Sequence, residues 1–435
     1  MPPPLSQLQQ RALLPLQSGP RLILYAQTHH TPSGQPISLL PLLTNNTGVT
    51  HIYIAAIHLN DRPGDITLND HHPDDARYNQ LWGEVAWLQG AGVTVMGMLG
   101  GAAKGTFERL SGDEESINKI YQFEHFYAPL HHLIASRRLQ GLDLDIEEPV
   151  QHTPILRLLR RLRHDFGPSF TLTMAPVATA MLPLFPHLSG PEFSYFALES
   201  DAETRALLSW YNVQFYCGWG DAGNTYLYEA IISSGWRPGR IVLGVVTNPG
   251  NGAGYVECER LCGVLEMLRR RFGDGATTAD GYAGFGGVMG WEYFNSGCHL
   301  PGVGEPWRWV QRLGRSVRGV LEPVTMPPFA PLPPPPVYQP AGAAAAPAPS
   351  VENRTQAQQG GGSWNAARVL EVLARNQTGT QQPSQSQAQR PAQPRWPAET
   401  VEKLTELGFP EAQVIAALNA AGGNVEVAAG MLFEQ

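Results

Sequence analysis

Eight short apolar segments, rich in β-branched and aromatic residues, recur through roughly the first 300 residues of this 435-residue chain. Most intervals between them are long enough for a crossover helix, as in ILRLLRRLRHDF, where Leu156, Leu159 and Leu162 recur at helical spacing. Repeated strand-plus-helix units predict an α/β fold, a (β/α)8 TIM barrel, with its active site at the C-terminal ends of the strands. An open doubly wound sheet is the alternative. The segments are 21–28, 51–59, 93–101, 139–147, 170–178, 210–216, 241–248 and 286–294.

The amino-acid composition predicts a linker after these units. Charged residues make up only 16% of the chain, against roughly 25% in an ordinary soluble domain. Part of the low content of charged residues is explained by the stretch between Pro323 and Arg395, which is dominated by Pro, Ala, Gln, Ser and Gly. Such a stretch cannot bury enough apolar surface to offset its ordering entropy. We therefore expect an N-terminal extension at 1–19, a barrel at 20–320 and a Pro/Ala/Gln-rich linker at 321–395.

The last segment, 396–435, has the pattern of a small acidic helical unit. Three short helices are predicted at 398–407, 410–420 and 424–433, separated by glycine-containing breaks. Negative charge dominates, because the unit contains several Glu residues and a single Lys. So short a unit builds little core, which makes its exposed apolar residues a candidate binding face.

Charge and cysteine content argue against several classes of protein. A formal net charge of -8 argues against nucleic acid as the main partner. The few, scattered cysteines favour a reducing compartment over a disulfide framework. No run of about 18 apolar residues occurs, and no basic segment followed by an apolar stretch opens the chain. We expect a cytoplasmic monomer that contacts no membrane and needs no cofactor. The cysteines are Cys217, Cys258, Cys262 and Cys298.

The segment LDLDIEE carries the most specific chemical signal. Side chains alternate between the faces of a strand, so Asp143, Asp145 and Glu147 share one face and three apolar side chains share the other. Because helices cover the apolar face, these acids point into the barrel and step toward its mouth. Mutual repulsion and burial should keep at least one of them protonated near neutral pH. Glu147, nearest the mouth, is the candidate general acid, while Asp145 shares a proton with Asp143 or turns toward the substrate.

Two other interpretations of the three acids fit less well. A solvated row on an exposed sheet conflicts with the barrel, because an inner strand has no solvated face and unpaired buried charge is costly. A metal site lacks a histidine at suitable spacing. We interpret His71-His72 as part of a polar loop, and Cys258 and Cys262 as one face of a helix. No metal site is expected.

The segment QGLDLDIEEP resembles the fourth-strand signature of glycoside hydrolase family 18, the chitinase and endo-β-N-acetylglucosaminidase family, whose pattern is Asp-Gly-x-Asp-x-Asp-x-Glu. Other segments resemble family motifs in the family's order, over about residues 20–315. The sixth and eighth strands look most like the plant and fungal hevamine-type branch. The further motifs are Leu99-Gly100-Gly101, Met174-Ala175-Pro176, Val213-Gln214-Phe215-Tyr216 and Gly287-Val288-Met289-Gly290-Trp291.

The resemblance implies a substrate-assisted retaining mechanism, in which the substrate's own N-acetyl carbonyl is the nucleophile. Glu147 would protonate the glycosidic oxygen. Asp145 would orient the acetamido group and stabilise the oxazolinium charge, and Asp143 would hold Asp145. Tyr216 would donate to the acetamido oxygen, and Trp291 would form the apolar floor under the sugar. The other expected substrate contacts are Tyr25, Gln27, Gly101, Met174 and Gln214.

Two positions depart from the family pattern. Gln140 stands where the family usually has its first Asp, and Cys217 stands where the hevamine-type motif has Asn. We expect Gln140 at the buried start of the fourth strand, where it would change the support of the site rather than its chemistry. This departure nevertheless puts full activity in question.

The acidic C-terminal unit resembles a ubiquitin-associated (UBA) domain. Leu407-Gly408-Phe409 is similar to the Met-Gly-Phe loop of that family, and Met431-Leu432 is similar to the end of its third helix. The resemblance implies that these five residues contact the hydrophobic patch of ubiquitin. A helical bundle that does not bind ubiquitin is the alternative.

The two resemblances together imply a retaining glycoside hydrolase of chitinase type that cleaves β-1,4-linked N-acetylglucosamine and carries a ubiquitin-binding module. Its partners would be chitin or N-acetylglucosamine oligosaccharides, and ubiquitin. Two alternatives stay open. One is a cytosolic endo-β-N-acetylglucosaminidase acting on the chitobiose core of N-glycans. The other is a non-enzymatic chitooligosaccharide lectin or ubiquitin adaptor, in which Gln140 has disabled the site.

Overall fold

The computed structural model forms two compact units, Met1–Gly361 and Gly362–Gln435. The expected linker at 321–395 and the first 18 residues of the expected N-terminal extension lie outside the described residues. The described residues are 19–319, apart from 63, 112–116, 184, 186, 274–276, 279–280, 283 and 298–304, together with Val401, Thr405, Val414, Ile415 and Leu418.

Parallel strands close into a barrel in the first unit. Each strand pairs with the next along the chain, and the last returns to the first, with Arg21 opposite Gly287. The closed barrel confirms the TIM-barrel prediction and removes the open-sheet alternative. The barrel strands are β1 (Arg21–Ala26), β2 (His51–Leu59), β3 (Thr94–Gly100), β4 (Gly141–Asp145), β5 (Thr171–Met174), β6 (Trp210–Gln214), β7 (Ile241–Val246) and β8 (Gly287–Trp291).

Shorter elements decorate the barrel. An antiparallel strand, Ile66–Leu68, pairs with the end of β2, and Thr277–Thr278 pairs with Gly281–Tyr282. The 3-10 turns are Ala76–Tyr78, Ala178–Met181, Pro238–Arg240 and Pro249–Asn251.

Helices follow most of the strands and cover the outside of the barrel. The helix His152–Phe166 buries Ile155, Leu158, Leu159 and Leu162 on one face, whereas Leu156, expected in that stripe, is half-buried. Within the described range, no helix is both long and apolar enough to cross a bilayer. The helices are α1 (Pro41–Thr44), α2 (Asn79–Gly90), α3 (Thr106–Arg109), α4 (Ile117–Ser136), α5 (His152–Phe166), α6 (Tyr195–Ser200), α7 (Ala202–Leu207), α8 (Tyr226–Ser233), α9 (Cys258–Phe272) and α10 (Pro306–Arg318).

Alternation along the strands separates two buried regions. The outward side chains and the helices form one large apolar outer layer, to which β4 contributes Leu142 and Leu144. Inward side chains form a smaller interior cluster. Because both faces of each strand are buried, the strands read in the sequence as nearly continuous apolar runs. The interior cluster is Ile23, Tyr25, Tyr53, Ala55, Ala56, Met96, Met98, Trp210, Tyr216, Val242, Val246 and Met289.

The described residues of the C-terminal unit are all helical. Val401 and Thr405 fall in the first expected helix, and Val414, Ile415 and Leu418 fall in the second. Val414 and Leu418 are fully buried, as the apolar face of an amphipathic helix should be. The third expected helix lies outside the described residues.

Candidate active site

The carboxylate row, defined as Asp143, Asp145 and Glu147, runs along the inner face of β4 and past its end. Asp143 is completely buried, Asp145 is 5% exposed, and Glu147 is half-buried. The outward neighbours Leu142 and Leu144 lie in the outer layer. The row therefore leads from the barrel interior to its C-terminal mouth, as the alternation of the sequence predicts.

Asp143 is held by donors from three other strands. The Tyr25 hydroxyl on β1 donates to Asp143 Oδ2 at 2.6 Å. Thr173 on β5 and the Asn212 amide on β6 bond the other oxygen, the latter at 3.0 Å. Burial raises the pKa of Asp143 to about 6, although all three hydrogen bonds favour its anion and act in the opposite direction. Asp143 is therefore mainly ionised at pH 7 and acts as a fixed acceptor.

The amide of Gln214 connects the two outer carboxyl groups. Its Nε2 atom lies 3.0 Å from Asp145 Oδ1 and 3.3 Å from Glu147 Oε1. The same atom donates to the Ala175 carbonyl at 2.9 Å. An amide nitrogen has two hydrogens, so it cannot satisfy three acceptors fully. A proton held between the two carboxyl groups would relieve this shortage.

Electrostatics favours such a proton. Burial raises the pKa of Asp145 well above its usual value, and the nearby charges of Glu147 and Asp143 raise it further. Burial also raises the pKa of Glu147, with the Gln214 hydrogen bond acting against it. Raised carboxyl pKa values near the mouth of a barrel are the condition that a general acid requires.

Two glycines bring the backbone of β3 against Asp145. Gly100 and Gly101 have φ values of 97° and 96°, in the left-handed region that favours glycine. A Cβ atom on Gly100 would lie 2.5 Å from the Asp145 carbonyl oxygen. The Gly101 N–H donates to that same oxygen at 2.8 Å. Gly101 therefore lies beside Asp145.

Tyr216 and Trp291 lie on the interior side of the site. Burial, together with the charges of Asp145 and Glu147, raises the pKa of Tyr216 well above its usual value, so its hydroxyl stays protonated and able to donate. Trp291 is half-buried and packs against the interior cluster, its ring centroid 5.6 Å from that of Tyr25. Both aromatic residues thus share the interior with the carboxylate row.

Two of the expected substrate contacts occupy other positions. Tyr25 is 1% exposed and its hydroxyl is bonded to Asp143, so it supports the row from below instead of facing the cleft. Met174 is completely buried in the outer layer. Alternation along β5 gives the interior position to Thr173 and turns Met174 toward the helices, which corrects the expectation for this residue.

Gln27 is fixed through its backbone. Its N–H donates to Glu292 Oε2 at 3.1 Å, and its carbonyl accepts from Asn69 Nδ2 at 2.8 Å. Glu292 is 7% exposed and also accepts from the N–H and the hydroxyl of Thr28, each at 2.7 Å. Because Glu292 follows Trp291 directly, its hydrogen bonds to Gln27 and Thr28 join the end of β8 to the loop after β1.

Sequence reasoning missed several residues around the row. Asn212 has a detectable signal, because it lies two residues before Gln214 on an otherwise apolar strand and therefore on the same face. Thr173 and Tyr53 fit ordinary strand composition, and Glu292 has no periodic signal. Only the closed barrel brings these side chains together.

The two departures from the family pattern lie at opposite ends of the barrel. Gln140 is exposed, not buried as expected, because it precedes β4 at the end remote from the carboxylates. Its Oε1 atom accepts from the Val95 N–H at 2.9 Å and so ties β4 to β3. Cys217 is exposed beside Tyr216 and has a φ of 56°. Asn adopts this left-handed conformation more readily than Cys.

Two solved structures resemble the barrel. A chitinase from Aspergillus fumigatus is 47% identical, with a TM-score of 0.58, over 68% of this chain and 99% of that chain. A fungal endo-β-N-acetylglucosaminidase from glycosyl hydrolase family 18 is 40% identical, with a TM-score of 0.60, over 69% of this chain and 98% of that chain. No curated protein sequence matches the chain.

A second match lies in the C-terminal unit. Residues 397–432 match the UBA/TS-N domain family. The expected ubiquitin contacts lie outside the described residues. They are Leu407, Gly408, Phe409, Met431 and Leu432.

Proposed function

The chain belongs to glycoside hydrolase family 18, and from that premise we propose that its barrel is a retaining hydrolase of β-1,4-linked N-acetylglucosamine in chitin-type oligosaccharides. The observation that carries the proposal is the Gln214 amide held between Asp145 and Glu147. It keeps two carboxyl groups with raised pKa values close together at the barrel mouth, one to donate a proton and one to stabilise positive charge.

In the proposed first step, Glu147 gives its proton to the glycosidic oxygen as the C1–O bond breaks. The N-acetyl carbonyl oxygen of the same sugar attacks C1 and forms the oxazolinium ion. Glu147 suits the role because it is the half-buried member of the row, within reach of a substrate in the mouth. In the second step its carboxylate takes a proton from the water that attacks C1 opposite the oxazolinium C1–O bond, and that bond breaks to restore the N-acetyl group. The two inversions at C1 leave the anomeric configuration retained.

Asp145 and Tyr216 would hold the acetamido group during this reaction. The Asp145 carboxylate accepts the acetamido N–H and offsets the charge of the oxazolinium ion. The Tyr216 hydroxyl, kept protonated by its raised pKa, donates to the acetamido oxygen. Trp291 offers its half-buried ring as the apolar floor beneath the sugar.

The proposal is tested by replacing Glu147 with Gln. We expect turnover of chitohexaose to fall by about 10²–10⁴-fold, because a glutamine cannot transfer the proton, while binding of the oligosaccharide is retained. The assays are product analysis and calorimetry.

Glu148→Gln is the matched control. Glu148 is a buried carboxylate that accepts hydrogen bonds from the N–H groups of Gly105 and Phe107 at 2.6 and 2.7 Å. Its replacement should therefore lower the free energy of unfolding and have less effect on turnover. Equal turnover in wild type and Glu147→Gln would contradict the proposal. Tight sugar binding by a wild type that does not hydrolyse would instead support the lectin alternative.

A second candidate substrate is the chitobiose core of N-glycans. It is favoured by the 40% identity to a fungal endo-β-N-acetylglucosaminidase. Parallel product analysis on chitohexaose and on a high-mannose glycopeptide separates the two substrates. Release of the glycan from the glycopeptide, with chitohexaose left intact, would replace chitin with N-glycans in the proposal.

We also propose that the C-terminal unit binds ubiquitin, on the basis of its match to the UBA/TS-N domain family. The residues carried over from the family loop are Leu407, Gly408 and Phe409, with Met431 and Leu432 from the third helix. Phe409→Ala should weaken capture of the full chain by immobilised ubiquitin without changing sugar hydrolysis. Unchanged capture would remove the loop from the proposed interface.

A further inference from the structure

The indole of Trp210 reaches the carboxylate row through one side chain. Trp210 begins β6, and its Nε1–H donates to Asn212 Oδ1 at 3.1 Å. Asn212 Nδ2 in turn donates to Asp143 Oδ1 at 3.0 Å. All three side chains are buried, with 6% of Trp210 and none of Asn212 or Asp143 exposed. A hydrogen-bonded chain therefore runs from the base of the barrel to the first acid of the row.

The direction of this chain is imposed by the indole. An asparagine amide can rotate by 180°, which exchanges its oxygen and its amino group. An indole N–H can only donate, so the Asn212 oxygen must face Trp210 and the amino group must face Asp143. Rotation would set two donors against each other at the indole and two acceptors against each other at Asp143.

Trp210 is itself held in place. The guanidinium carbon of Arg21 lies 4.0 Å from the centroid of the Trp210 ring, and the His51 ring meets it edge-on at 5.0 Å. Arg21 is anchored by donation to the Gly239 carbonyl at 2.9 Å. Burial lowers the pKa of His51 to about 3, helped by the charges of Arg21 and Arg318, so His51 is neutral at working pH. The support of Trp210 therefore stays constant with pH.

We infer that Trp210 is a positioning residue, which keeps Asp143 ionised by fixing the orientation of the Asn212 amide. This inference rests on the proposed function and deepens it. With Asp143 held as an acceptor, the mobile proton of the row stays with Asp145 and Glu147, where the proposed acid step uses it. Without the indole donor, an amide that can turn its oxygen toward Asp143 would favour the protonated acid.

The other titratable groups near Asp143 allow this effect to be isolated. Burial raises the pKa values of the surrounding tyrosines, so they stay neutral at working pH, and Asp145 is the nearby acid that can change its charge. The groups that interact with Asp143 are Tyr25 on β1, Tyr53 on β2, Asp145 on β4, Tyr195 on α6 and Tyr216 after β6.

The first experiment compares pH profiles of kcat/KM on chitohexaose. Trp210→Phe removes the donor but keeps a ring for Arg21 and His51. Ionisation of Asp143, whose pKa burial raises to about 6, contributes to the acid limb. We therefore expect this limb to move up by about one unit, with roughly tenfold lower activity below it and little change at pH 8. Asn212→Ala should shift the limb similarly, and adding Trp210→Phe to that variant should shift it no further.

Trp236→Phe is the matched control. Trp236 is 3% exposed, and its Nε1–H donates to the Met181 carbonyl at 2.8 Å; among the described residues this indole makes no hydrogen bond to the carboxylate row or to Asn212. It should leave the acid limb unchanged even where it lowers the melting temperature. An unchanged limb in Trp210→Phe, or shifts that add up in the double variant, would overturn the inference.

A readout independent of turnover separates this inference from the proposed function. In protein labelled with ¹³C at the aspartate carboxyl groups, the Asp143 resonance is assigned by its absence in Asp143→Asn. Its titration midpoint should rise by about one unit in Trp210→Phe and stay unchanged in Trp236→Phe. A wild type without hydrolytic activity would defeat the proposed function alone, whereas an unmoved midpoint would defeat the role of Trp210.

Discussion

The two faces of β4 contribute to the molecule in opposite ways. Leu142 and Leu144 are completely buried in the outer layer, where each adds roughly 1.5–3 kcal/mol of apolar burial. Asp143 and Asp145 face the interior, where burial opposes their charge and raises their pKa values. One face of β4 therefore stabilises the barrel, while the other keeps acids in an environment that suits chemistry and opposes ionisation.

On the inner face, Asp145→Asn should have the largest effect, which is a loss of activity. We expect kcat/KM to fall by about 10²–10³-fold, because a neutral amide cannot offset the charge of the oxazolinium ion. The free energy of unfolding should stay the same or rise, since a buried carboxyl with a raised pKa has been removed. Kinetics and urea denaturation measure the two quantities. A large loss of stability would show that Asp145 holds the fold together.

On the outer face, Leu144→Ala should lower the stability of the barrel. We expect a loss of about 3 kcal/mol in the free energy of unfolding, because a completely buried leucine leaves a cavity. Urea denaturation measures this loss, with half-buried Leu156 on α5 as the control position for a smaller one. The folded fraction should retain near-normal kcat. Equal losses at the two positions would contradict the assigned difference in packing.

The pH dependence of stability should show the cost of an ionised acid on the inner face, at Asp143. The pKa of Asp143 is raised from 3.8 to about 6 in the fold, so the folded state binds more protons than the unfolded state between these values. The contribution of Asp143 is therefore fully present below about pH 4 and is lost as pH rises through 6, by about 3 kcal/mol.

The measurement is the difference in unfolding free energy between wild type and Asp143→Asn, followed from pH 4 to pH 7. Subtracting the variant removes the other carboxyl groups, some of which act in the opposite direction. Asp165, for example, has a lowered pKa. A difference that grows in favour of wild type as pH rises would mean that the hydrogen bonds to Asp143 outweigh its burial.

Cys217→Asn should give the smallest effect and tests the rim of the inner face. The residue has a φ of 56°, and Asn is favoured there, so we expect a gain of about 0.5 kcal/mol in stability. Thermal unfolding and KM on chitohexaose are the measurements. A change in KM that corresponds to more than the expected change in the free energy of unfolding would give the Cys217 thiol a part in substrate binding.

Local patterns predicted those features that depend on neighbouring residues. The positions of all eight barrel strands and the shared face of Asp143, Asp145 and Glu147 follow from apolar runs and from two-residue alternation. The same rule, applied to β5, turns Met174 outward and shows that its expected place at the site was wrong. A resemblance identifies a motif, but alternation decides which of its side chains face the substrate.

The barrel, the carboxylate row and the order of the acids along it thus follow from local sequence patterns, because strand geometry repeats every two residues. The groups that hold the carboxylate row could be identified only from the folded barrel. Tyr25 and Asp143 are 118 positions apart, and Asn212 and Asp143 are 69 apart, and closure of the barrel at one register brings them together. Burial then set the pKa values, because the loss of water around a carboxyl group depends on the whole fold.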